Sequence, residues 1–179
     1  VLLTVLQFFF DLKTVIPIHG LVQTVSNTSR FGVYWHHIHW PIVWRFLLLA
    51  APGIYLGGLI WRDLNPAMLQ ILVGSFIIFS MSAKKTFARL KLPINGFIAL
   101  GFFGGLLGAI VGALGPVIAP FFHHSGLIKE RFVATKAACQ SLVHLMKTFS
   151  YWYFFSFDYG SYGELLLPLC LVAILGTYT

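Results

Sequence analysis

The chain has 179 residues, of which 58% are hydrophobic and 9% charged. Water-soluble domains carry about 25% charged residues, so a soluble enzyme with a polar shell is excluded and the composition is that of a membrane protein. The net charge of +7, from 12 Lys and Arg against five acids, fits basic loops facing one side of a membrane rather than a nucleic-acid surface.

Residues 1–10 are apolar but too short to cross a bilayer, which takes about 20 helical residues; they read as the end of a helix that starts before Val1. Residues 13–35 form a second apolar stretch, interrupted by His19, Gln23, Asn27 and Arg30. After the loop YWHHIHW, residues 41–61 are long enough to span, with Arg45 near one end where its stem can reach the headgroups. Asp63 or Asn65 can cap the next helix, and Pro66 suits its first turn. Residues 66–83 are then a clear span. KKTFARLK, residues 84–91, is the densest basic patch and the best candidate for a cytoplasmic loop.

Residues 95–122 run apolar and glycine-rich for 28 residues, long for one span and short for two. If both 84–91 and the basic loop at Lys129 and Arg131 face the cytoplasm, this stretch must enter the membrane and return to the same side. A span followed by a shorter return segment, broken around residues 112–116, satisfies that requirement. One long tilted helix is the alternative. A helix then runs to about residue 155, a loop without Lys or Arg covers 156–163, and a final span runs from Glu164 onward. Cys139 and Cys170 sit in apolar runs without CxxC spacing and read as small buried hydrophobes.

Residues 132–152 carry Lys136, Gln140, His144, Lys147 and Tyr151 at helical spacing, within an arc of about 80°. Shifting the chain by 117 positions lays His19, Gln23, Asn27, Arg30 and Tyr34 on these five, with Trp35 on Trp152 and Thr24 on Ser141. The expected architecture is therefore all-α: a polytopic helical membrane protein with two related repeats in opposite orientation and a Gly/Pro-broken helix. Residues 1–92 form the first repeat and 93–179 the second. At this offset the first copy of the glycine-rich element would precede Val1, and a counterpart of 66–83 would follow Thr179, so both ends read as trimmed.

The run GFFGGLLGAIVGALGPVIAPFF, then Gly126, then VATKAACQSLVHLMK resembles the second half of the sulfite exporter TauE/SafE family. The residues that carry the likeness are Gly101, Gly104, Gly105, Gly108, Gly112, Gly115, Pro116, Pro120, Gly126, Ala134, Thr135 and Lys136. HIHWPIVWRFLLLAAPGIYLGG resembles the first half. GALGP departs from the family's fuller glycine cluster at the break. The resemblance implies movement of small sulfur-containing or organic anions, coupled to an ion gradient, and leaves the substrate open.

The residues themselves point the same way. Asp11, Asp63, Glu130, Asp158 and Glu164 all fall in loops or at segment ends, so no carboxylate neutralises Lys136, Lys147 or Arg30 within a span. A lone charge at the bilayer centre costs about 2.5–3.5 kcal/mol on insertion scales, and where the protein supplies no anion the solute can. Gln23, Asn27, Gln140, His144, Thr135 and the backbone at Gly112, Gly115 and Pro116 complete the candidate substrate-binding set. The opposing reading has Arg30 and Lys147 snorkelling to headgroups and the histidines serving as ordinary hydrogen-bond partners. Trp35, Trp40, Trp44, Trp61, Tyr151 and Trp152 read as an interfacial belt.

Three function classes follow. The first is a secondary transporter of small anions such as sulfite, sulfonates or carboxylates, multi-pass in the cell membrane, working by alternating access. Its partners are an anionic solute, the lipid bilayer and a coupling ion, with no nucleic acid and no cofactor. The second is a metal-dependent membrane enzyme using His36, His37 and His39 with His123 and His124, a set that no Cys or carboxylate completes. The third is a non-transporting structural subunit.

Overall fold

The computed structural model describes residues 2–87, 92–112, 115–123 and 126–178. Of the residues singled out above, Arg89, Lys91 and His124 lie outside the described residues, as do the side chains of Lys84, Lys85, Pro116 and His123. The protein is all-helical: α1 (Leu2–Leu6), α2 (Leu12–Val33), α3 (Trp40–Asp63), α4 (Pro66–Phe87), α5 (Gly96–Val111), α6 (Gly115–His123), α7 (Lys129–Tyr153) and α8 (Gly163–Tyr178). Short 3-10 turns stand at Trp35–His37 and Gly160–Tyr162. Among the described residues, Trp40–Asp63, Pro66–Ala83 and Gly160–Thr177 are long and apolar enough to cross a membrane. α2 and α7 are also long enough, about 33 Å and 37 Å at 1.5 Å per residue, but their polar stripes lower their hydropathy.

Local chemistry sets the boundaries. Asp11 caps α2, its carboxylate accepting from the Thr14 N–H at 2.9 Å. Asn65, not Asp63, caps α4 by accepting from the Met68 N–H at 2.8 Å; Asp63 instead pairs with Arg62 at 2.8 Å. In the loop before α8, the Ser161 hydroxyl and the Gly160 N–H both donate to Asp158 and hold its carboxyl below the usual range.

The glycine-rich stretch resolves in favour of a span and return. α5 ends at Gly112, whose φ of +82° is left-handed and favours glycine. The chain then turns back: Phe122, near the end of α6, packs on Phe97 at the start of α5 (ring centroids 5.0 Å apart) and on Phe46 near the start of α3 (6.1 Å). One long tilted helix is excluded because the left-handed residue ends the α-helical run.

α3 and α5 lie side by side and run in the same direction. A Cβ on Gly101 would collide with the Phe46 carbonyl oxygen, and one on Gly105 with that of Ala50. Reciprocally, Gly53 faces the Phe102 carbonyl and Gly57 the Leu106 carbonyl. Small residues at four-residue spacing on both helices bring the backbones into direct contact, the packing that drives association where lipid removes the hydrophobic effect.

α2 and α7 cross antiparallel. Thr28 meets Ser141 (2.6 Å) while Thr24 meets Thr148 (3.4 Å), so position rises on one helix as it falls on the other. α7 is parallel to α3, as the His39–Thr135 and Gly58–Phe155 contacts at successive levels require. The core clusters around Leu12, Val15, Ile16, Trp61 and Tyr151 at one end, and around Phe46, Phe97, Phe122 and Ala138 at the other.

Candidate functional site

α7 is inside-out relative to a soluble helix. Leu145, Phe149 and Trp152 are exposed on its outer face, whereas His144, Lys147 and Tyr151 are buried and Lys136 and Gln140 half-buried on its inner one. The stripe therefore faces protein rather than lipid, and its partners are α2 and the break between α5 and α6.

Lys147 is at the centre. Its side chain is 1% exposed, with Nζ 3.4 Å from the Gly108 carbonyl in the last turn of α5. The adjacent Tyr151 hydroxyl donates to the Ala109 carbonyl. The Ala109 carbonyl is one of the four that an α-helix leaves unpaired at its C-terminus, whereas the Gly108 carbonyl also accepts the Gly112 N–H at 3.1 Å; an amine there complements the negative end of the helix dipole. Gly20 of α2 makes room, since a Cβ there would stand 2.7 Å from Lys147 Cε and 3.2 Å from Nζ. Lys147 thus does not snorkel. Trp61 and Tyr151 likewise leave the expected interfacial belt: both are buried, rings 4.6 Å apart, because the tyrosine hydroxyl finds its partner in the broken helix.

Beside Lys147 lie two buried imidazoles. His19 and His144 meet edge to face, ring centroids 6.5 Å apart, and the His19 ring is close to the Gly112 backbone. A ladder along α2 fixes the His19 proton. Asn27 Nδ2 donates to the Gln23 carbonyl (2.8 Å) and to Gln23 Oε1 (3.2 Å), which orients that amide. Gln23 Nε2 then donates to His19 Nε2 at 3.2 Å, leaving the ring proton on Nδ1. Nδ1 of His19 and Nδ1 of His144 are both buried without a hydrogen-bond partner.

The remaining predicted residues divide. Gln140 stands beside the first residue of α6, its Nε2 3.6 Å from the Cβ position of Gly115. Lys136 lies over the Phe132 ring at 6.0 Å and within electrostatic reach of Arg30, which is exposed in the last turn of α2. Thr135 is fully buried and its hydroxyl accepts the His39 N–H at 2.9 Å, which ties α7 to the start of α3. Gly112 and Gly115 flank the break, with Pro116 in the first turn of α6. His19, Gly20 and Tyr151 were not in the predicted set. Helical periodicity marks His19 and Tyr151 as members of a stripe, while nothing in the sequence marks Gly20.

All five acids are exposed at element ends, so the cluster is cationic and donor-rich without a carboxylate. Among the described residues, no three His, Cys, Asp or Glu side chains gather in a metal-binding group.

The whole chain, residues 1–179, matches the family described as Sulfite exporter TauE/SafE. No curated protein and no solved structure matches it. With its spanning helices, its break at Gly112 and its buried lysine, the chain belongs to the sulfite exporter TauE/SafE family, a family of multi-pass membrane transporters.

Proposed function

We propose that this protein is a secondary transporter of small oxyanions, sulfite and sulfonates foremost, with the anion passing between α2 and α7 at the α5–α6 break. The observation that carries this reading is Lys147: a fully buried amine with no carboxylate partner, beside two imidazoles with unpartnered nitrogens. An uncompensated buried charge is costly, and an incoming anion would relieve it. Arg30 and Lys136 lead toward the site, and Gln140 with the N-terminus of α6 offers neutral donors.

Two related repeats in opposite orientation would let the halves rock around this site by alternating access. Two observations support the repeat. α2 and α7 begin at Leu12 and Lys129, the same offset of 117 at which the polar stripes align, and the two helices cross antiparallel. Charge supports an orientation in the cell membrane. Arg30, Arg45, Lys129 and Arg131 collect where α3, α5 and α7 begin. Asp11, Asp63, Asp158 and Glu164 collect at the opposite end, where they outnumber Lys13 and Arg62. By the positive-inside rule the former end is cytoplasmic.

The test is flux of labelled sulfite, thiosulfate and methanesulfonate in proteoliposomes containing the chain, compared with Lys147→Met. Saturable flux of at least one anion, lost in the variant, is expected. No flux of any, or flux indifferent to Lys147, overturns the reading.

A further inference from the structure

The paired imidazoles carry an inference that rests on the anion-transport reading and extends it to the driving ion. We propose that His19 and His144 take up a proton together with each anion, so that H+ is the coupling ion and these two side chains are its carriers.

Hydrogen-bond donors and backbone carbonyls surround the two rings. From α2 come Gln23 and Asn27, and from α7 Lys147 and Tyr151, with Lys136 two turns away. α5 presents the Gly108 and Ala109 carbonyls and the Gly112 backbone. Tyr159 reaches the neighbourhood through the Thr148 carbonyl; Leu3 of α1 is apolar, and Trp61 of α3 brings a buried indole N–H without a partner. No carboxylate joins from any described element. Lys147 can offset a single negative charge, and its amine is already shared with Gly108. An anion with more than one charge needs a second cation. Imidazole is the side chain that gains charge by taking a proton near neutral pH, and here two of them face each other at 6.5 Å.

The ladder on α2 gives the proton a structural consequence. When the lone pair of His19 Nε2 forms a bond to an incoming proton, that nitrogen becomes a donor and its hydrogen bond from Gln23 Nε2 breaks. The Gln23 amide must turn so that Oε1 accepts from Nε2–H, and the bond from Asn27 Nδ2 to Oε1 is given up. Protonation is thereby transmitted two turns along α2 toward Arg30. On release the Nε2–H bond breaks, the proton returns to water on the far side, and the original ladder re-forms. The site gains one positive charge as the anion arrives and loses it as the anion leaves.

The experiment follows protons and anions together in proteoliposomes, using a trapped pH dye with labelled thiosulfate and methanesulfonate, both anions of strong acids that carry no proton of their own, and with sulfite on the alkaline side of neutral. The unaltered chain is expected to move protons in the same direction as the anion and to respond several-fold to an imposed pH gradient. His19→Gln and His144→Gln are expected to lower the ratio of protons to anions several-fold, a readout that does not depend on how much protein inserts. Anion flux without proton movement in the unaltered chain overturns this inference and leaves anion transport standing. Variants that retain the full ratio also overturn it, and absence of all anion flux overturns both readings.

Discussion

Lys147 and Thr135 illustrate how single residues on one helix come to hold different roles. Lys147→Met keeps the length of the side chain and removes a buried charge that no acid balances. Replacing buried ionic groups with apolar ones is commonly neutral or stabilising. The variant is therefore expected to unfold in detergent at an unchanged or higher temperature while its anion flux falls at least about tenfold, a barrier change of about 1.4 kcal/mol. A fall in both would mean that the amine mainly secures the end of α5. Thr135, three turns earlier, uses its hydroxyl to accept the His39 N–H. Thr135→Val is expected to cost about 1–3 kcal/mol by orphaning that N–H, and Thr135→Ser to restore most of the loss, both read by thermal unfolding.

Between elements, the decisive contacts are backbone to backbone. Gly101 and Gly105 seat α5 on α3 so closely that any Cβ would meet a carbonyl oxygen. Neither helix backbone can yield without parting the pair. Overpacking costs typically about 1–3 kcal/mol and occasionally more, and Gly101→Leu is expected to exceed that range, with loss of a single monodisperse peak on size-exclusion chromatography. Gly74 in α4 has nothing within 4 Å of its Cβ position. Gly74→Ala is therefore the matched control and is expected to be neutral or to stabilise by up to about 1 kcal/mol through helix propensity. Gly112→Ala tests the break itself. A left-handed conformation costs an L-residue about 1–2 kcal/mol, and the new Cβ would stand 2.9 Å from Leu3 Cδ1, so a lowered unfolding temperature is expected.

For the whole molecule, the proposed orientation rests on the difference in charge between its two ends. In a chain with Cys139 and Cys170 replaced by Ala, Glu164→Cys is expected to react with a membrane-impermeant thiol reagent added outside intact cells. Lys129→Cys is expected to react only after permeabilisation. The reverse pattern would overturn the orientation inferred from the basic end. At this scale the lipid-facing surface follows from the same packing: α4 and α8 bury little of their length, leaving apolar flanks on a centre formed by α2, α3, α5 and α7.

The sequence by itself determined the solvent, the number of long apolar segments and the polar stripe, because composition and helical periodicity are local properties. The return of residues 95–122 was one of two readings open in the sequence, favoured if the basic segments on both sides share one face, and the left-handed Gly112 decided between them. Which way each polar side chain is used was decided only by tertiary structure. Lys147 looks the same in sequence whether it snorkels, binds solute or caps a helix, and only the arrival of the α5 terminus settles that it is buried. Trp61 and Tyr151 lie near segment ends, as belt residues do, yet the carbonyls freed by the break draw the tyrosine inward and the tryptophan packs on it. Gly20 gains its meaning solely from the lysine stem that crosses it, and His19 from a ring on another helix 125 positions away. These are pairings of distant segments, set by the crossing of α2 and α7 around a broken helix, and no window along the chain contains them.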